Sequence, residues 1–191
     1  MKKGRRRRIP ELGIRYQRSG KEILLSAQDF ERLVASATTD LLTGLSNRIQ
    51  INHYLENTQG YTLALIDVDF FKNINDSFGH DTGDEVLKSL ADILRHHSGR
   101  NAKIGRWGGE EFIVIFQDER YSPVKLAENI RRAVEEKKFI DRETGNEINL
   151  TVSIGLAQWR QGEVPHQTQK RADQALYKAK ENGRNKVVIA D

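Results

Sequence analysis

The sequence predicts an α/β protein of the α+β kind, with a mainly antiparallel central sheet flanked by helices. Residues 61–69 (YTLALIDVD) form an apolar run of strand length with no polar face, as in a central strand covered on both sides. Residues 102–107 and 110–116 are strand-like runs joined at Gly108-Gly109, a hairpin signal. Stretches of helical period separate these runs, so helices must cover the sheet.

The elements follow in order. Residues 1–20 show no clean period. From Ile23, apolar residues recur at Ala27, Phe30, Val34 and Ala37, in steps of four and three. Such a heptad seam suits one amphipathic helix packed on its own domain, or the end of a dimerising helix entering from upstream. Residues 1–37 thus read as a basic linker with a short amphipathic helix, and 38–191 as the main domain. Thr38 and Thr39 break the seam. Residues 47–57 read as a short helix, and 84–97 as a helix with Leu87, Leu90 and Leu94 on one stripe. Pro123 opens a helix whose inner face is Leu126, Ala127, Ile130, Ala133 and Val134. A small hairpin turns at Thr144-Gly145-Asn146, and residues 149–159 make a long strand. Ala172, Ala175, Leu176 and Ala179 mark the last long helix, stopped by Gly183. Residues 186–189 make a final strand.

Composition removes several function classes. The 191 residues contain no cysteine, which excludes disulfides, thiolate metal sites and a cysteine nucleophile. No apolar run approaches the roughly 18 residues of a membrane span. The basic start lacks an apolar segment, so it is no secretory signal. The expected location is cytoplasmic, or the cytoplasmic face if the full-length protein is membrane-anchored. The net charge of +4 is local: six cationic residues lie within the first eight positions, and all 27 acidic residues follow. The remaining chain is slightly acidic, so no specific nucleic-acid partner is expected for the body. The arginine arm suits a solvated tail, or contact with nucleic acid or anionic lipid.

The central strand carries its own chemical problem. Asp67 and Asp69 end the most apolar run in the chain, and Glu110-Glu111 opens another. Buried carboxylates need a cation or strong donors. Paired antiparallel, the two strands would bring two to four acids to one sheet edge. Without cysteine or clustered histidine, oxygen-only ligands suit Mg²⁺ or Mn²⁺, with phosphates completing the shell. Alternatively, Asp67 and Asp69 cap a helix at 71–78. Gly108-Gly109 reads as a type I′ turn, or as a place where a ligand lies against bare backbone. No P-loop is present, so phosphates would rest on amides at the helix start after Asp69 and on Lys72. Lys180 and Arg184 suit either phosphate binding or a helix C-terminus.

At this point the chain resembles the GGDEF domain of bacterial diguanylate cyclases. The signature stands as Arg106-Trp107-Gly108-Gly109-Glu110-Glu111-Phe112, the GGEEF form. The likeness extends to residues 40–48 (DLLTGLSNR), 67–84 (DVDFFKNINDSFGHDTGD), 151–157 (TVSIGLA) and 172–185 (ADQALYKAKENGRN), covering about 38–191. It implies a palm-like nucleotide cyclase fold that condenses two GTP into cyclic di-GMP and two pyrophosphates. It implies that Asp67, the Val68 carbonyl and Glu110 bind Mg²⁺ or Mn²⁺, two ions per loaded site. Glu110, with Glu111 beside it, would accept the proton of the attacking hydroxyl. Asn75 and Asp84 would read guanine, with His80 close by. The amides of Phe70 and Phe71, with Lys72, Lys180 and Arg184, would hold phosphates, and Lys72 would also stabilise transition-state charge. Gly108 and Gly109 would let substrate approach. Each domain would hold half a site, so turnover needs a homodimer, and an upstream sensory domain would supply the input. A non-catalytic GTP-binding module on the same fold is the rival, but no signature residue is lost. The family's R-x-x-D product-inhibition motif would fall at Gly99 and Ala102, so tight product binding there is not expected.

Overall fold

The structure, a computed structural model, describes residues 14–18, 21–118, 120–141 and 144–191, which leaves the arginine arm outside it. The chain divides into two units, Met1–Thr38 and Thr39–Asp191.

In the first unit, β1 (Ile14–Arg18) pairs antiparallel with β2 (Lys21–Leu25), and α1 (Ala27–Thr38) follows. This corrects the seam expected from Ile23, which stands opposite Tyr16 in the hairpin. Ser26 marks the true helix start: its hydroxyl accepts from the Asp29 amide at 3.1 Å and donates to the Asp29 carboxylate at 2.7 Å. Leu33 and Val34 on α1 are exposed.

The second unit runs α2 (Arg48–Glu56), β3 (Thr62–Val68), α3 (Phe71–His97), β4 (Lys103–Gly108), β5 (Glu111–Phe116), α4 (Pro123–Glu136), β6 (Phe139–Ile140), β7 (Glu147–Ile148), β8 (Val152–Gln158), α5 (Pro165–Glu181) and β9 (Val187–Ile189). Its five-stranded sheet has the order β4-β5-β3-β8-β9. All pairs are antiparallel except β8 with β9. Central β3 is buried on both faces, as its unbroken apolar run requires. On one face Ile66, Val114 and Ile154 join Leu87 and Leu90 of α3 and Ile130 of α4. On the other, Leu63, Leu65 and Ile113 join Ile51 and Leu55 of α2 and Leu176 of α5. α5 lies unusually close to β8: a Cβ at Gly155 would stand 2.2 Å from the Ala172 carbonyl oxygen. Bare backbone there lets the helix pack directly on the strand.

Asn47 caps α2 by accepting from the Gln50 amide at 3.1 Å, and Ser122 caps α4 ahead of Pro123. The helices expected at 71–78 and 84–97 are continuous as α3, broken only at Gly79 (φ 82°, ψ 164°). The strand expected at 149–159 is shorter, running Val152–Gln158, although the Asp69 amide still donates to the Thr151 carbonyl at 3.0 Å in continuation of the β3–β8 register.

Candidate active site

The end of β3 and the start of β5 meet at one sheet edge. Asp67 stands directly opposite Glu111, and the Val68 amide donates to the Glu110 carbonyl at 3.4 Å. Asp67 is 7% exposed, and the Lys180 ammonium lies 2.8 Å from its Oδ2. Burial pushes the Asp67 carboxyl above its ordinary value; Lys180 pulls it back, while Glu110 and Asp69 push it up further. Burial also raises Glu111, and Asp67, Glu110 and Asp173 add to it against Lys180. One lysine thus faces several carboxylates, an edge short of positive charge.

Asp69 is different. Its carboxylate accepts from the Thr151 and Ser153 hydroxyls at 2.7 Å each and from the Asn185 amide at 3.1 Å. It is a fully engaged structural acceptor. Among the described residues no three Asp, Glu or His side chains gather round one point. The expected convergence of up to four acids is therefore narrower. Asp69 is occupied, Glu111 lines a cleft along α5 with Asp173 and Lys180, and Glu110 lines a different cavity. Asp67, the Val68 carbonyl and Glu110 still offer oxygen ligands alone, which suits Mg²⁺ or Mn²⁺ completed by phosphate and water.

The cavity at Glu110 has a volume of about 420 Å³ and is bounded by Phe71, Lys72, Asn75, His80, Asp84 and Gly109. Residues from α3 and from the loop before β5 thus share one space with Glu110. Asn75 lines this cavity too, and its Oδ1, buried and close against Gly83, has no hydrogen-bond partner. A buried acceptor left unpaired is costly and calls for a donor. Phe70 at the start of α3 has φ 56°, and no side chain caps the helix. The alternative capping role for Asp67 and Asp69 is therefore not taken up, and the first-turn amides suit an anion.

The turn into β5 also differs from a type I′ turn. Gly108 pairs with Glu111 after a register shift past Arg106, so Gly109 and Glu110 form the loop. Of these only Gly109 has a positive φ, at 40°. Arg106 braces the turn: its Nε donates to the Gly109 carbonyl at 2.8 Å, and its Nη1 lies 3.4 Å from Asp40. Asp40 in turn accepts from the Thr43 amide and hydroxyl at 2.9 and 2.6 Å. Burial opposes the charge on Asp40, yet these Thr43 bonds and Arg106 hold its carboxyl below the ordinary value. The sequence reading misses this brace; the Asp40–Thr43 spacing is the signal that carries it.

Past α5, Arg184 and Asn185 have φ 61° and 45°. The Arg184 guanidinium sits 4.4 Å from the Phe70 ring centroid. Asn185 is tied to Asp69, to Arg131 at 2.7 Å and to Glu135 at 2.7 Å. Lys180 and Arg184 are thus turned onto Asp67 and Phe70. At the position of the inhibitory motif, Gly99 and Ala102 carry no charge, and Lys103 lies against the Tyr54 ring at 5.2 Å.

A sequence model of the family described as "Diguanylate cyclase, GGDEF domain" matches residues 37–186. The chain belongs to the diguanylate cyclase GGDEF family. The GGDEF domain here is 37% identical over 172 residues to diguanylate cyclase A of Treponema denticola, covering 83% of this chain and 46% of that protein. It is 42% identical over 162 residues to the response regulator PleD of Caulobacter vibrioides, covering 80% of this chain and 36% of that protein. The chain thus spans less than half the length of these relatives. The crystal structure of the coiled coil and GGDEF domain of DgcB from Caulobacter crescentus, in complex with c-di-GMP, matches with a TM-score of 0.81 and 34% identity, covering 85% of this chain and 91% of that one. Among the described residues of this GGDEF domain and its leading unit, no helix is long and apolar enough to cross a membrane.

Proposed function

We propose that the chain condenses two GTP molecules into cyclic di-GMP and two pyrophosphates, each protomer of a two-fold pair holding one GTP. The observation that carries this is the cavity that brings Asn75, whose Oδ1 has no partner within the fold, together with Asp84 and Glu110. Guanine presents N1–H and an exocyclic amine side by side, donors matched to an amide oxygen and a carboxylate; adenine lacks that pair.

Asn75 and Asp84 orient the base, with His80 lining the same cavity. The amides of Phe70 and Phe71 and the side chains of Lys72, Lys180 and Arg184 receive the triphosphate at the helix start. A divalent ion held by Asp67, the Val68 carbonyl and Glu110 would neutralise phosphate charge and polarise the reacting phosphorus. The Glu110 carboxylate takes the proton of a 3′-hydroxyl as that oxygen bonds to the α-phosphorus of the opposing GTP. The bond from that phosphorus to the bridging oxygen breaks, and pyrophosphate leaves. The step repeated in the other direction closes the ring. Two GTPs facing each other need two half-sites, so the second copy supplies the partner substrate. Bare backbone at Gly108 and Gly109 lets the two nucleotides approach.

The test is incubation with GTP and Mg²⁺, followed by chromatography. Cyclic di-GMP and pyrophosphate in a one-to-two ratio are expected. GTP binding without product would instead leave a regulatory binding module.

A further inference from the structure

We propose that Thr82 and Asp141 are a positioning pair that holds the base-reading segment of α3 from outside the nucleotide cavity, an inference that rests on reading this cavity as the GTP site. Helical backbone geometry is interrupted at Gly79, immediately before the segment 80–84. Such a break removes the stiffness of a continuous helix, so residues 80–84 need another anchor. Within the segment, His80 and Asp84 line the nucleotide cavity, whereas Thr82 does not. A second, larger cavity of about 810 Å³ adjoins the segment, walled by Thr82, Phe139, Ile140 and Ile148 and bordered also by His80 and Asp84.

A hydrogen bond ties the segment to the residue that follows β6. The Thr82 hydroxyl donates to Asp141 Oδ1 at 2.8 Å, across 59 positions of sequence. Asp141 is 2% exposed, and it is held in turn. Its Oδ2 accepts from the Thr144 amide at 2.9 Å and from the Thr144 hydroxyl. Its own amide donates to the Asn146 carbonyl at 3.0 Å. The β6–β7 hairpin that carries it is anchored by Phe139 and Ile148, 5% and 4% exposed in the core. Asp141 is therefore held at its own end, and Thr82 is tethered to it.

The next residue transmits the position. A Cβ at Gly83 would stand 2.0 Å from Asn75 Oδ1, so the Gly83 backbone lies directly against the side-chain amide of Asn75, a residue that lines the nucleotide cavity. Asp84 comes immediately after it. Movement at Thr82 therefore displaces both guanine-reading side chains, although neither Thr82 nor Asp141 borders the nucleotide.

The test compares Thr82→Val, which keeps shape and loses the donor, with Thr82→Ser, which keeps the donor, in the full chain. Thr82→Val is expected to raise KM for GTP about tenfold, the scale of a hydrogen bond to a charged acceptor, with kcat nearly unchanged. Its preference for GTP over inosine triphosphate, which lacks the exocyclic amine, should narrow. Amide hydrogen exchange should quicken in residues 80–86 and stay unchanged in β3 and β5. Thr82→Ser should restore all three readouts. Thr82→Val with the parent's KM and base preference would overturn the proposal. So would exchange that quickens throughout the domain while kcat and KM fail together, since that marks a merely structural bond. A parent chain that binds no GTP would overturn the site reading itself, and this proposal with it.

Discussion

At each end of α5 a carboxylate meets a cation, and the two meetings are opposites. Near its start, Glu163 accepts from Arg171 Nη2 at 2.6 Å, from the Thr168 hydroxyl at 2.9 Å and from the Arg160 amide at 3.1 Å. Arg171 above all, with Thr168 and Arg160, pulls its carboxyl from 4.5 to about 2. Near its other end, Asp67 has Lys180 but also Glu110 and Asp69 as neighbours, and burial pushes its carboxyl up. The first group is satisfied within the fold. The second keeps a surplus of negative charge that only something from outside can balance. Structural carboxylates and ligand-binding ones differ here in how completely the chain itself answers them.

Four changes would break or sharpen that contrast. The largest effect is expected from Glu110→Gln, which removes a charge the fold does not use. Turnover should fall about 10³-fold, the scale of lost acid–base catalysis, while thermal unfolding stays as in the parent. Full pyrophosphate release by this variant would break the contrast outright.

Next is Asp69→Ala. Although two residues from Asp67, Asp69 belongs with Glu163, because three donors already meet it. Removing it leaves two hydroxyls and an amide unpaired in the interior, and urea unfolding should show a loss of about 3 kcal/mol. Undiminished stability with lost activity would move Asp69 into the catalytic group.

Glu163→Gln should lower Tm by about 3 °C at neutral pH. A depressed carboxyl contributes stability that is full above its ordinary value and is lost as pH falls through the folded one. The gap between parent and variant should therefore close between pH 4.5 and about 2. A gap that persists at low pH would point to packing instead.

Smallest is Glu111→Gln, with the opposite sign. Its carboxyl is raised by burial and by Asp67, so its charge opposes folding once pH climbs past the ordinary carboxylate value. In metal-free solution the variant should gain about 1 °C in Tm at neutral pH. Acidification through the carboxylate range should erase that gain. A loss of Tm would show that Lys180 already balances the edge.

Much of this arrangement is legible in the sequence because periodicity and spacing report faces and edges. The apolar run at 61–69 is central β3, and the hairpin runs are β4 and β5, so Asp67 and the glutamates are bound to meet. The parts that escape depend on contacts across long separations. Asp67 and Asp69 look alike in the chain, yet their roles part because Thr151, Ser153 and Asn185 arrive from 82 or more positions away. Thr82 shows no signal without Asp141. Ile23 continues a heptad pattern and still enters β2, because Ser26 caps a helix that starts after it. The one-residue offset of the Gly109–Glu110 loop comes from the bulge after Arg106, which spacing alone does not announce.

The central claim is that Asp67 and Glu110 share a divalent ion against a triphosphate whose base rests on Asn75 and Asp84. A crystal grown with a non-hydrolysable GTP analogue and Mn²⁺, read by anomalous scattering, tests it most directly. The account predicts anomalous density bounded by Asp67, the Val68 carbonyl, Glu110 and phosphate oxygens, with the guanine edge on Asn75 Oδ1. A nucleotide bound elsewhere, or manganese absent from that edge while the nucleotide is present, would contradict it.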